Sequence, residues 1–227
     1  MRLAQSFGVD IPDIKLVPIE RLNNLPNIQL PNEKFAFAIN RFDRSENGRV
    51  HTEDFAQIFQ LYPIDKYQRV NYEEIGAMLR RFSDEPLADI QQLARRLLVN
   101  ILLGNGDAHL KNWTLIYENK ITPRLSPAYD IVFTAPYIQG EDSLALNMNK
   151  TKEIYKINLD AFKKWALRIH LAWGVIKQAI NEVLTQARQK WSEQLEKLPM
   201  AEAHKKLLKE HWLNLHEDFR LMKGNAR

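Results

Sequence analysis

The sequence predicts an α+β protein that is mainly helical, and two observations support this fold class. The first third of the chain holds one short helical segment and two short strand segments, whereas the chain turns helical from residue 51, with apolar residues at helical spacing. The chain has 227 residues, of which 45% are hydrophobic and 26% charged, a composition typical of a globular protein that buries a sizeable core.

The composition also excludes several functional classes. The absence of cysteine rules out disulfides and thiolate metal sites and suits a reducing cytoplasm, which is the expected location. No run of 18 apolar residues occurs and the start lacks a signal-peptide core, so no membrane partner is expected. The net charge of +4 favours a solvated surface over direct nucleic-acid binding, because no helix-turn-helix signature accompanies it.

The N-terminal segments predict a helix followed by a β-hairpin. "MRLAQSFG" is helical up to Gly8, and "IKLVPI" (14–19) and "KFAFAINRF" (34–42) are predicted strands. In the second strand, Phe35, Phe37 and Ile39 share one face. The linker "ERLNNLPNIQLPNE" between the strands has turn chemistry, including Pro31. Because an isolated hairpin is marginally stable in water, this one should need more strands beside it, and none are supplied upstream.

The rest of the chain is predicted to be helical around one central helix. Thr52 in "HTEDFAQIF" indicates a capped helix start, and "NYEEIGAMLRRF" places Tyr72, Ile75, Leu79 and Phe82 on one face. The segment 83–103 is the predicted central buried helix, ended by Gly104. A short hairpin is expected from "WTLIY" (113–117) and "ITPRLS" (121–126), and helices are expected over roughly 158–224.

The loop "GNGDAHLKN" (104–112) is the candidate functional site. Asn112 follows Asp107 by five residues, and Asp130 comes after the predicted hairpin. This layout is typical of a protein-kinase phosphoryl-transfer site, where one carboxylate accepts the proton of a hydroxyl and the other two groups offer oxygen ligands to Mg²⁺. The alternative is a turn with a capping Asp, in which His109 is a structural hydrogen-bonder and Lys111 a solvated charge.

Several segments together resemble the C-terminal part of the HipA family of serine/threonine kinases, the toxins of HipA–HipB toxin–antitoxin systems. They are "NRFDR" (40–44), "GRVHTEDFAQ" (48–57), "LLGNGDAHLKNWTLIY" (102–117), "LSPAYDI" (125–131) and "LALNMNKTK" (144–152), and the resemblance extends from Met1 to about Leu184. It implies a kinase-like, mainly helical C-lobe over 45–227 and a remnant of the N-lobe, with its hairpin and hinge, over 1–44.

The resemblance also implies roles for individual residues. Asp107 would be the catalytic base, and Asn112 and Asp130 would hold Mg²⁺. ATP phosphates would be lined by the segment His109, Leu110, Lys111 and Asn112 and by Tyr129 with Asp130. The hinge of Asn40, Arg41 and Phe42 would meet adenine through backbone groups. Asn40 departs from the Glu that is frequent in the family, but a backbone contact tolerates this change.

One part of the family pattern has no counterpart in this sequence. No segment resembles the phosphate-binding loop with its regulatory serine or the nucleotide-gripping lysine, and the 8 glycines form no cluster. Three explanations stay open: a truncated or mis-started reading frame, one half of a split kinase, or a relative that only binds.

The resemblance leads to two hypotheses of function. The first is an ATP-dependent serine/threonine protein kinase toxin, whose protein substrate in this family is an aminoacyl-tRNA synthetase. The second is a non-catalytic interaction module that binds a HipB-like antitoxin or a complementary N-terminal lobe through its C-terminal helices. Trp191, Trp212 and Phe219 could serve that interface, although their helical spacing favours a place in the core.

Overall fold

The computed structural model describes residues 1–27, 34–67, 69–138 and 140–222. Its α-helices are α1 (Arg2–Ser6), α2 (Phe55–Ile58), α3 (Tyr72–Phe82), α4 (Pro86–Leu102), α5 (Leu159–Arg168), α6 (Trp173–Lys197) and α7 (Glu202–Asn214). Its strands are β1 (Ile14–Pro18), β2 (Phe35–Ile39), β3 (Arg44–Ser45), β4 (Gly48–Arg49), β5 (His51–Asp54), β6 (Thr114–Tyr117), β7 (Arg124–Leu125), β8 (Ser143–Met148) and β9 (Thr151–Glu153). The α+β class, with helices predominating, is confirmed.

The predicted N-terminal hairpin is present and lies at the surface. β1 and β2 pair antiparallel, from Ile14 opposite Ile39 to Pro18 opposite Phe35. Among the described residues, the sheet contains these two strands and no others. Phe35 and Phe37 are consequently 48% and 54% exposed. The turn predicted at Pro31 falls outside the described residues.

The helix start predicted at "HTEDFAQIF" was wrong, because a strand precedes the helix there. Residues His51–Asp54 form β5, which pairs antiparallel with β6, and β6 in turn pairs with β7. Helix α2 begins only after Asp54, whose carboxylate accepts a hydrogen bond from the backbone N–H of Gln57. The cap is therefore Asp54 and not Thr52, because pairing with a strand 60 residues away overrides the local helical pattern. The β6–β7 hairpin is confirmed, whereas β8–β9 was not predicted.

Helix α4 is the buried centre of the molecule, as predicted, and packs against α3 and α6. Phe82 was assigned to the buried face of α3, but it is 46% exposed at the last residue of that helix. Trp212 and Phe219 are fully buried, and the ring of Trp191 lies 5.1 Å from that of Trp212, so these aromatics belong to the core. In the described part of the chain, no helix is long and apolar enough to cross a membrane.

Candidate active site

The loop that follows α4 is fixed by hydrogen bonds to buried polar side chains. The helix ends as predicted, and Gly104 adopts a positive φ of 58°. Asn105, which is 1% exposed, donates to the side-chain oxygen of Asn100 (2.9 Å) and accepts from the backbone N–H of Asp107 (3.1 Å). The Thr134 hydroxyl accepts from the Gly106 N–H and donates to the Gly104 carbonyl, both at 3.0 Å. Four hydrogen bonds thus fix the backbone that presents Asp107.

The side chain of Asn112 joins the loop to Asp130. Its Nδ2 donates to the backbone carbonyl of Asp107 at 3.0 Å and to Oδ2 of Asp130 at 3.1 Å. Asn105 Nδ2 also reaches the Asp130 carbonyl, at 3.4 Å. The three polar groups singled out from the sequence, separated by up to 23 positions, therefore meet in one place.

Asp130 itself has a special backbone conformation. Its φ is 55°, in the left-handed region that non-glycine residues seldom adopt. The neighbouring Tyr129 is fixed through its hydroxyl, which donates to the Lys111 carbonyl at 2.7 Å and lies 2.6 Å from the Thr114 hydroxyl. Burial raises the pKa of Tyr129 to about 12, so the phenol stays neutral. Tyr129 thereby holds Asp130 at a set distance from the end of the loop.

His109 is a neutral partner beside Asp107. Its ring is largely buried, and burial, followed by the nearby Lys66 ammonium, lowers its pKa. Lys66 Nζ lies 2.8 Å from His109 Nε2, and Tyr67 packs edge-on against the His109 ring at 5.1 Å. The Tyr67 hydroxyl also donates a hydrogen bond to Oδ1 of Asp107. The segment carrying Lys66 and Tyr67 therefore lies against the loop at Asp107 and His109.

The residues predicted for the hinge are only partly connected to this cleft. The ring of Phe42 lies 5.7 Å from that of Tyr129 and so reaches the site. The backbone N–H of Asn40 donates to the Asp13 carbonyl at 2.9 Å, and the Arg41 guanidinium pairs with Asp43. The hydrogen bonds and ion pairs of the Asn40 and Arg41 side chains go to Asp13 and Asp43 and not to the loop. Leu110 is fully buried, so it can offer a ligand backbone groups only.

The oxygen atoms around Asn112 and Asp130 fit a hard divalent cation. Both N–H bonds of the Asn112 amide are used, which leaves its oxygen for a ligand, next to the second oxygen of the Asp130 carboxylate. In the described ranges, no three or more acidic, histidine or cysteine side chains are grouped so that they could hold a metal ion. Mg²⁺ suits such a sparse site, because it takes one or two carboxylates and completes its shell with water and substrate phosphates.

Some residues that support or border the loop were not predicted from the sequence. Asn105 and Thr134 support the loop, and Lys66 and Tyr67 border it. Asn105 lies in the quoted loop and could have been found as a turn residue that bonds its own backbone. The other three lie 27 or more residues away along the chain, and no local pattern connects them to Asp107.

Comparison with known proteins places the chain in a family. The family described as "HipA-like C-terminal domain" matches residues 1–191. The chain belongs to the HipA-like C-terminal domain family. Its fold agrees with this assignment. It is similar to that of the HipA of Shewanella oneidensis MR-1, solved with HipB and its operator DNA, with a TM-score of 0.75 at 20% sequence identity over 94% of this chain and 52% of that chain.

Relatives within this family are named as kinases. The protein named "Putative kinase Y4dM" of Sinorhizobium fredii is 40% identical over 201 residues, which cover 88% of this chain and 49% of that protein. The protein named "Serine/threonine-protein kinase toxin HipA" of Shewanella oneidensis is 26% identical over 188 residues, which cover 71% of this chain and 40% of that protein. The chain thus spans half or less of the length of these HipA-like relatives.

Proposed function

We propose that this chain carries the catalytic part of a HipA-like, ATP-dependent serine/threonine protein kinase. The observation that supports this function most is the amide of Asn112, which bonds both the backbone of Asp107 and the carboxylate of Asp130. A base and two oxygen ligands for Mg²⁺ then share one cleft. Phosphoryl transfer depends mainly on such positioning and on charge neutralisation, rather than on covalent help from the protein.

Each residue of the cleft has a role in this proposal. Asp107, whose side chain is 41% exposed, accepts the proton of the attacking hydroxyl. Asn112 and Asp130 hold Mg²⁺, which when bound would neutralise charge on the phosphates. His109, Leu110, Lys111 and Tyr129 line the phosphates, Leu110 through its backbone.

The adenine site is proposed at the hinge. Backbone groups of Asn40, Arg41 and Phe42 meet the base, and Phe42 links this segment to the phosphate side through its packing against Tyr129. We assign residues 1–44 to the N-lobe side of the cleft and 45–227 to the C-lobe.

We further propose that the kinase acts as the toxin of a toxin–antitoxin pair in the cytoplasm. A relative named as a serine/threonine-protein kinase toxin and a similar structure solved with HipB and operator DNA support this role. The partners are a HipB-like antitoxin and a protein substrate with an accessible hydroxyl, for which an aminoacyl-tRNA synthetase is the candidate. DNA contact would come through the antitoxin.

Calorimetric titration with ATP, with and without Mg²⁺, tests the nucleotide site of this chain directly. We expect binding that requires Mg²⁺ and that falls at least tenfold in Asp130→Asn. The matched control is Asp160→Asn, the same change in an α5 side chain that is 58% exposed. Binding unaffected by Asp130→Asn would remove Asp130 from the metal site. No binding in any variant would show that these 227 residues do not form a nucleotide site by themselves.

A non-catalytic interaction module is the second candidate, and a surface feature favours it. An apolar groove of about 530 Å³ lies beside the exposed hairpin and is lined by residues that include Ile14, Phe37, Tyr137 and Met200. We propose that a HipB-like antitoxin or a complementary N-terminal lobe polypeptide binds there. Co-purification with such a partner should be lost in Phe37→Asp and kept in Leu167→Asp, a control at a position on α5 that is 60% exposed. Partner binding without any ATP binding would favour this candidate.

A further inference from the structure

Tyr67 occupies the place that an acceptor hydroxyl needs. Its phenolic O–H donates to Oδ1 of Asp107, the carboxylate proposed above as the base. A hydroxyl that is to be phosphorylated must lie within hydrogen-bond reach of the base that takes its proton. A side chain of the protein itself therefore already fills the acceptor position of the cleft.

The segment that carries Tyr67 is anchored on both sides of this contact. The Leu110 N–H donates to the Lys66 carbonyl at 3.3 Å, which attaches the segment to the catalytic loop. Lys152 Nζ donates to the Tyr67 carbonyl at 3.1 Å and to the Ala145 carbonyl at 2.8 Å, which attaches it to the β8–β9 hairpin. These contacts, together with the edge-on packing on His109, set where the Tyr67 ring points.

Tyr67 differs in its surroundings from a structural tyrosine close to it in the chain. Tyr72, five residues further on, is a structural tyrosine: it is fully buried and its hydroxyl donates to the Ala108 carbonyl at 3.1 Å. Tyr67 is 37% exposed, and its hydroxyl meets a carboxylate instead of a backbone group. Burial and the bond to Asp107 raise the pKa of Tyr67 to about 12, so the phenol keeps the proton that a base would remove.

We propose that Tyr67 is a self-phosphorylation site, an inference that rests on the proposed kinase function. The phenolic oxygen of Tyr67 attacks the γ-phosphorus of a bound nucleoside triphosphate. The bond between that phosphorus and the β–γ bridging oxygen breaks, the phenolic proton moves to the Asp107 carboxylate, and the nucleoside diphosphate leaves. No other reactant is needed.

Phosphorylation would also open the cleft. Phosphotyrosine has no hydroxyl proton to donate to Asp107, and it carries about 1.5 to 2 negative charges at neutral pH. The carboxylates of Asp107 and Glu141 both act on the Tyr67 oxygen in the unmodified protein, and they would repel the new dianion. Departure of Tyr67 would leave Asp107 accessible to the hydroxyl of a protein substrate.

The test incubates the full chain with Mg²⁺ and ATP and measures both ADP and the phosphorylated positions by peptide mass spectrometry. We expect phosphate on Tyr67, and none there in Tyr67→Phe. Asp107→Asn should slow the modification by about 100-fold or more, the contribution typical of a general base. Tyr62→Phe is the matched control, because it makes the same change five residues away at a position that is 78% exposed. It should leave phosphorylation of Tyr67 unaltered.

The outcomes separate the inference from the function on which it rests. ADP formation with unmodified Tyr67, or with equal phosphorylation of Tyr62 and Tyr67, would overturn the inference and leave the kinase function intact. No ADP in any variant would refute kinase activity of this chain, and the inference with it. A mixture of Asp107→Asn and Tyr67→Phe chains should give no more phosphate on Tyr67 than Asp107→Asn alone, since the proposed transfer occurs within one molecule. Faster phosphorylation of Tyr67 in the mixture would refute that geometry.

Discussion

Asp89 connects the central helix to the strand that leads towards Asp130, and its loss should lower the stability of the protein. The carboxylate is 3% exposed and accepts hydrogen bonds from the Arg124 guanidinium (3.0 to 3.2 Å) and from the backbone N–H of Leu125 (2.8 Å). The Ser83 hydroxyl bonds it as well. Arg124 and Leu125 form β7, and Asp130 follows five residues later. We therefore choose Asp89→Ala as the perturbation.

The expected loss of unfolding free energy depends on whether each hydrogen-bond partner of Asp89 finds another partner in the variant. The Leu125 N–H is buried, and a buried donor without a partner costs about 1–3 kcal/mol. The Arg124 side chain is 32% exposed and keeps a contact with Glu85 at 2.6 Å, so water and Glu85 compensate most of its loss. Adding about 1 kcal/mol for the weakened charged bonds gives a total of about 2–4 kcal/mol.

Urea denaturation monitored by circular dichroism measures the free energy of unfolding, and thermal denaturation checks the result. A loss of about 3 kcal/mol should lower Tm by about 6–12 °C in a protein of this size. The control is Glu85→Ala, which removes the other carboxylate on Arg124 at a position whose side chain is 61% exposed and should cost less than about 1 kcal/mol. If Asp89→Ala were no worse than Glu85→Ala, the reasoning from the buried Leu125 donor would be refuted.

Two further predictions concern pH and packing. Burial lowers the pKa of His211 in the folded state. Below pH 6.5 the unfolded state therefore binds a proton at His211 more readily than the folded state does. The contribution of neutral His211 to the free energy of unfolding is complete above that pH and falls, by at most about 1.4 kcal/mol per pH unit, on acidification. His211→Gln should flatten the dependence of unfolding free energy on pH between 7.5 and 5, and an unchanged slope would contradict this. At Gly76, within α3, a Cβ would lie 3.0 Å from Ile169 and 3.1 Å from Trp165. Gly76→Ala should therefore lower the unfolding free energy by about 0.5–2 kcal/mol despite its better helix propensity, whereas a more stable variant would show that the neighbours yield freely.

Local patterns predicted most of the fold. The apolar spacing within α4 and the glycine after it require only information from neighbouring residues, and both were confirmed. The error at His51–Asp54 has a different origin: this segment is a strand because Thr114–Tyr117 lies beside it. Pairing across 60 residues is decided by tertiary contacts, which a single sequence does not display.

The candidate site likewise contains residues that the sequence predicted and residues that only tertiary contacts bring there. Asp107 and Asn112 are close along the chain, so their spacing suggested a shared cleft, and the hairpin prediction supplied the reason for Asp130 to return to it. Tyr67 had no such signal. Its contact with Asp107 depends on how the segment between α2 and α3 lies against the loop, and only the structure gives that arrangement.

The buried polar side chains that bond the loop 104–112 explain why Asp130 can keep its left-handed backbone conformation. A positive φ in an aspartate is unfavourable and persists where the surroundings determine it. Asn105 supplies this constraint, because a single buried amide bonds the Asp107 N–H, the Asp130 carbonyl and the side chain of Asn100 on α4. An apolar residue at position 105 could fill the same space but could not bond to both halves of the cleft. The relative position of the proposed base and the proposed metal ligands is therefore set by directional hydrogen bonds from the central helix, and it does not depend on the less specific packing of the surrounding core.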